Sequence, residues 1–254
     1  MKKTMCVFGN DSRVLYISDF FNKNGYAVYK SADDYGKCDY AILLPNCDKS
    51  CYDELINGRE NATVFVPKTD ENLVGKLSRK QIKCINYMKF ADFVSYNSYL
   101  TANAIIEISK NKGAVLQESS CLVTGYGYMA KALAKMLLEN KANVDICARK
   151  KELKRQIEDR GYSYVDIGLL HSKEMSKYSY IYNTVPAVII DEKAIDNVSR
   201  NCMIFDLASK PGGVDFNYCR QKNITADIYP GLPGIFYPKE AGNAISRAII
   251  KRIE

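Results

Sequence analysis

One six-residue stretch, Gly125-Tyr126-Gly127-Tyr128-Met129-Ala130, has both the residue types and the spacing to bind phosphate. It follows a short apolar run at 121–124 and opens a segment with apolar residues at 130, 133, 134, 137 and 138. Strand, tight turn and helix thus come in the order of a dinucleotide cradle. Gly125 permits the turn, Gly127 lets backbone approach a pyrophosphate, and the small Ala130 lets helix pack on strand. The first-turn N–H groups of Tyr128, Met129 and Ala130 would then point at the anion. A plain strand-to-helix turn uses glycine in the same way, and Tyr126 and Tyr128 stand where they could crowd a ligand.

The choice of cofactor falls about 20 residues further on, where NAD enzymes carry an acid for the ribose 2′-hydroxyl. Here the chain reads Ala148-Arg149-Lys150-Lys151, with no acid and with an arginine whose planar fork suits a 2′-phosphate, which points to NADP rather than NAD. Lys154 and Arg155 read as solvated helix residues. Asn183-Thr184-Val185-Pro186 ends another apolar run and is placed beside the nicotinamide ribose and ring, with Leu207 and Ala208 completing the cofactor set. Ser209 and Lys210, helped by N–H groups at Gly212 and Gly213, are candidates to bind a carboxylate, as are Arg13 and Lys239 facing the same cleft. Arg13 reads equally as a surface helix residue. Asp11 is a proton acceptor or simply a helix cap, and Asp206 orients its loop; no general base is assigned. His171, the single histidine, reads as an ordinary loop residue.

The elements that must position these residues follow from alternating apolar runs and helical patterns, the mark of βαβ units and parallel sheets. Strands are expected at 4–8, 26–29, 39–44 and 63–66, then at 121–124, 144–148, 180–184, 203–207 and 226–229. A connecting helix is read over 98–110, and a last helix with apolar residues at 241, 244, 245, 248 and 249. The expected class is α/β with two doubly wound domains. These are a flavodoxin-like domain over 1–96 joined by the C-terminal helix 240–254, a connecting helix over 97–113, and a Rossmann NAD(P)-binding domain over 114–239, with the last helix packing back on the first domain.

With 47% hydrophobic and 26% charged residues the chain is neither disordered nor fibrous. No apolar run approaches the roughly 18 residues that cross a bilayer, and the run at 5–8 is too short for a signal peptide, so the cytosol is expected. Nine scattered cysteines, no Cys-x-x-Cys and one histidine argue for reduced thiols and against a zinc site. The net charge of +7 is spread out, suiting a small anion better than nucleic acid.

Two unusual loops, residues 206–216 and 230–242, together with Asn183-Thr184-Val185-Pro186, the glycine turn and Gly9-Asn10-Asp11-Ser12-Arg13, occur in an order that resembles the family of dipicolinate synthase A subunits along essentially the whole chain. The resemblance implies an enzyme of the mother cell in spore-forming bacteria, which oxidises and aromatises a dihydrodipicolinate-type product of the lysine pathway. It also implies a flavoprotein-like B subunit as partner and a small anionic pyridine-dicarboxylate substrate; self-association is left open. Asn10 replaces a family glycine. Leu100-Thr101-Ala102-Asn103 stands where the family pattern reads Pro-Thr-x-Glu, removing a charge that could set rate or preference. The alternatives are another NADP-dependent dehydrogenase on this scaffold, of shikimate or methylene-folate type, or a subunit that binds NADP without catalysing.

Overall fold

A computed structural model describes residues 2–30 and 32–253. The chain divides into two units, residues 1–100 with 231–254, and residues 101–230.

The first unit contains β1 (Thr4–Phe8), α1 (Arg13–Lys23), β2 (Ala27–Tyr29), β3 (Tyr40–Leu43), α2 (Lys49–Glu54), β4 (Thr63–Val66), α3 (Glu71–Ser78) and β5 (Lys83–Asn86), then the start of α4 (Ala91–Asn111). Its five strands are parallel in the order β2-β1-β3-β4-β5, the flavodoxin-like winding. Side chains alternate across β1, so Met5 and Val7 face one layer while Cys6 and Phe8 face the other. Met5 and Val7 pack with Ile17 and Phe21 of α1 and Phe93 of α4; Cys6 and Phe8 pack with Leu73 and Leu77 of α3. Gly25, at φ +86°, takes the left-handed turn that ends α1.

The second unit begins within α4 and runs through β6 (Ser120–Thr124), α5 (Tyr128–Glu139), β7 (Asn143–Ala148), α6 (Lys154–Glu158), β8 (Ser163–Asp166), β9 (Tyr180–Asn183), α7 (Glu192–Ile195), β10 (Met203–Asp206), α8 (Phe216–Gln221) and β11 (Thr225–Ile228). All six strands are parallel in the order β11-β10-β9-β6-β7-β8, which reverses direction between β6 and β9 as a Rossmann sheet does. The chain then returns to the first unit through α9 (Leu232–Phe236) and α10 (Pro238–Ile250).

Helix α10 packs on α1, burying Ala241, Ile245, Ala248 and Ile249. The approach is close at Gly242, where an added Cβ would lie 3.1 Å from Tyr16 Cβ and 3.2 Å from the Arg13 carbonyl oxygen. No helix among the described residues is long and apolar enough to cross a membrane.

Three elements depart from the sequence expectation. β5 and β8 were not anticipated, and both are edge strands whose polar or half-buried residues (Lys83, Asn86, Ser163, Asp166) lack the apolar run that marks an interior strand. The helix expected over 98–110 starts seven residues earlier, because Phe93 already anchors it in the first unit's core.

Ile249 is fully buried in that core. Ile249→Ala is expected to cost about 2–5 kcal/mol of unfolding free energy, measured by denaturant titration; an unchanged midpoint would mean that α10 is not seated there.

Candidate functional site

At the tip of β6 the turn has a conformation that its residues dictate. Gly125 sits at φ +87°, and a Cβ there would fall 2.8 Å from Thr184 Oγ1 and 3.2 Å from Val185 Cγ2, so both backbone and space demand glycine. Its N–H donates to the Cys147 carbonyl at 2.8 Å. Gly127 stands at the N-cap of α5 with no side-chain cap, and a Cβ there would meet nothing within 4 Å. Open space thus faces the uncapped start of a twelve-residue helix, as an anion at that end requires. Ala130 is fully buried. Tyr126 is turned to α6, its hydroxyl 3.4 Å from the Gln156 carbonyl and its ring under the Lys131 ammonium at 4.6 Å. Tyr128 is half exposed and Met129 half-buried.

Beside this turn, β6, β9 and β10 end in register on Thr124, Asn183 and Asp206, all with zero exposure. Thr124 Oγ1 donates to Asn183 Oδ1 at 2.5 Å, and Asn183 Nδ2 donates to Asp206 Oδ1 at 2.7 Å and to the Val185 carbonyl at 3.0 Å. The Asp206 carboxylate also accepts the N–H groups of Ala208 (3.0 Å) and Gly213 (2.7 Å). Thr184 closes the frame, its Oγ1 donating to the Thr124 carbonyl at 2.6 Å. This corrects one expectation: the Gly212 and Gly213 N–H groups are not available to a substrate, since they are spent on the Ser209 carbonyl and on Asp206. The two glycines are needed for space, because a Cβ on Gly212 would lie 2.7 Å from Asp206 Oδ2 and one on Gly213 would collide with Asn183 and Val185. Leu207 is half-buried and Ala208 buried, whereas Pro186, Ser209 and Lys210 are exposed or partly exposed.

Arg149 and Lys150 lie exposed just past the end of β7. The neighbouring strand carries an acid there that the sequence reading did not count: Asp166 is in register with Ala148. It accepts the Gly168 N–H at 2.9 Å and pairs with Lys151 at 3.6 Å; the Gly168 hydrogen bond, then Lys151, holds its carboxyl below the usual range. Strand pairing, which the local pattern does not reveal, is what brings it there. Lys154 and Arg155 make exposed pairs with Glu158 and Asp159, as a solvated face would.

In the first unit Arg13 is buried, contrary to its surface-helix reading. Its guanidinium is gripped by Asp11 (Nη2 to Oδ2 2.5 Å, Nε to Oδ1 3.0 Å), and the same carboxylate accepts the Arg13 N–H at 2.9 Å. Asp11 therefore pairs with the Arg13 side chain and accepts the first N–H of α1, whose N-cap, Ser12, makes no side-chain cap bond. Gly234 packs flat on the guanidinium, so that an added Cβ would lie 2.8 Å from Arg13 Cζ. Lys239 is exposed at the start of α10. Ser209 and Lys210 thus belong to one unit, and Asp11, Arg13 and Lys239 to the other. His171 forms an exposed contact with Asp191 at 3.0 Å. Among the described residues the cysteines form no disulfide, and burial pushes the thiols of Cys6, Cys147 and Cys202 up to about 12, which disfavours them as nucleophiles.

Two doubly wound parallel sheets, the second in Rossmann order with a glycine turn at the tip of its first strand, define the fold class as a two-unit α/β protein of Rossmann type. No protein-family model matches the chain. It is 28% identical over 186 residues to the dipicolinate synthase A subunit of Bacillus subtilis (strain 168), covering 71% of this chain and 60% of that protein's length. The dipicolinate synthase A subunit from Bacillus halodurans superposes with a TM-score of 0.87 at 22% identity, over 99% of this chain and 97% of that one. The NAD-complexed D-isomer-specific 2-hydroxyacid dehydrogenase of Lactobacillus delbrueckii follows at 0.61 and 11% identity, over 99% and 96%. The similarity to dipicolinate synthase A subunits that the motifs carry is thus found in sequence and in fold alike.

The Asp11–Arg13 pair can be tested by breaking it. Removing one partner of a largely buried pair strands the other charge; with Asp11 partly exposed, Asp11→Ala is expected to cost about 2–3 kcal/mol in denaturant unfolding, against less than about 0.5 kcal/mol for Asp19→Ala in the exposed Asp19–Lys23 pair. Equal costs would contradict it.

Proposed function

We propose that the chain is the A subunit of a dipicolinate synthase, an oxidoreductase that uses NADP to aromatise a dihydrodipicolinate-type precursor from the lysine pathway during sporulation, in the cytoplasm. The observation that carries this reading is the turn at 125–130, where a left-handed glycine, an open position at Gly127 and an uncapped helix fit a pyrophosphate. Similarity to the Bacillus dipicolinate synthase A subunits supports dipicolinate as the product.

In this reading Gly125, Gly127, Tyr128, Met129 and Ala130 hold the pyrophosphate through backbone. Arg149 and Lys150 bind the 2′-phosphate, with Asp166 diverted to Gly168 and Lys151. Asn183, Thr184, Val185, Pro186, Leu207 and Ala208 form the nicotinamide side. When bound, the coenzyme supplies a two-electron acceptor. Ser209 and Lys210 anchor a ring carboxylate from their exposed loop, and Lys239 is a further exposed cation for an anionic substrate. The buried Arg13 is neutralised by Asp11, which suits a positioning role better than proton transfer. Losing a hydride and a proton turns the dihydropyridine aromatic, so no oxygen or metal is required in the balance. The name of the relatives supports a second polypeptide in the enzyme, which we take to be the flavoprotein-like B subunit.

Calorimetric titration is expected to show NADP binding roughly tenfold or more tightly than NAD, with Arg149→Asp levelling or inverting the ratio, the scale of removing one charge-assisted hydrogen bond. Mixing the chain with its partner, the precursor and NADP should raise dipicolinate absorbance. An unchanged ratio in Arg149→Asp would remove the 2′-phosphate assignment, and no product with either coenzyme would remove the substrate.

A further inference from the structure

We propose that the Asp206 carboxylate biases this site toward the oxidised form of its coenzyme, whose nicotinamide ring carries a positive charge that the reduced ring lacks; the inference rests on the coenzyme reading above. Both Asp206 oxygens act as acceptors, from Asn183 Nδ2, the Ala208 N–H and the Gly213 N–H, the pattern of an ionised group. Those donors are neutral. They stabilise the charge without cancelling it, and no lysine, arginine or histidine among the described residues forms an ion pair with this fully buried side chain. A net negative charge is therefore held in a poorly screened interior.

Its placement gives the charge something to act on. Asn183 and Ala208, which bond to it directly, and Val185, which bonds to Asn183, belong to the set assigned to the nicotinamide side. Holding the loops in place would explain the hydrogen bonds, but a structural role is indifferent to the coenzyme's redox state. An electrostatic role is not. One unit charge acting through an effective dielectric of about 20 shifts relative affinity on the order of tenfold, and for a two-electron couple tenfold corresponds to about 30 mV in the bound coenzyme's potential.

The test compares dissociation constants for oxidised and reduced NADP by calorimetry in the wild-type chain, Asp206→Asn and Thr124→Val. Wild type is expected to favour the oxidised form. Asp206→Asn should move the ratio about tenfold toward the reduced form, while Thr124→Val, which loosens the same frame without touching its charge, should weaken both forms alike. A folded Asp206→Asn with an unchanged ratio overturns the proposal. If that variant does not fold, the wild-type ratio decides, and reduced NADP binding as tightly as oxidised NADP overturns it. Binding of neither form by the wild-type chain would instead remove the coenzyme reading beneath it.

Discussion

Thr124, Asn183 and Asp206 satisfy one another at the ends of three adjacent strands, and the rim of the second unit depends on that arrangement. Each would be costly to bury alone, since an unpaired polar group in an interior loses its water without recompense. Together they leave no described buried side-chain nitrogen or oxygen without a partner. Because Asn183 is bonded on both sides, the loop at 184–187 is tied to the glycine turn through Thr124 and to the loop at 207–213 through Asp206. Rigidity at these loops comes from the network rather than from regular structure.

The same logic, with opposite sign, governs the first unit. A buried guanidinium is tolerated because Asp11 neutralises it within two residues of chain, and because glycines at 234 and 242 let the returning segment lie directly on α1. Small residues there do what large apolar ones do elsewhere in the core: they let backbone come close enough to cover a polar group and exclude water. Glycines 125, 212, 213, 234 and 242 thus share one purpose, contact distance, and only the first two need a left-handed backbone as well.

Much of this was legible in the sequence. β6, β9 and β10 lie inside a parallel sheet, buried on both faces, so each announces itself as an apolar run, and the glycine turn could be read against them. The edge strands β5 and β8 carry no such mark, and with β8 went Asp166, the acid beside Ala148. The burial of Asp206 was equally hidden: aspartate is an exposed residue by type, and only the sheet order sets Asn183 beside it. Arg13 could have been found, since an acid two residues before an arginine at a helix start is the geometry of a local fork. The engagement of the Gly213 N–H is hidden because an acceptor seven residues back leaves no trace in local pattern, whereas that of Gly212 is a local turn onto the Ser209 carbonyl.

Native-state hydrogen exchange addresses the frame most directly, through the amides of Ala208 and Gly213, which lie outside any helix or strand yet donate to Asp206. The expected result is protection equal to that of β6 and β9, released only when the whole unit opens. Exchange at the rate of an exposed loop would contradict the claim that a buried carboxylate holds this rim together.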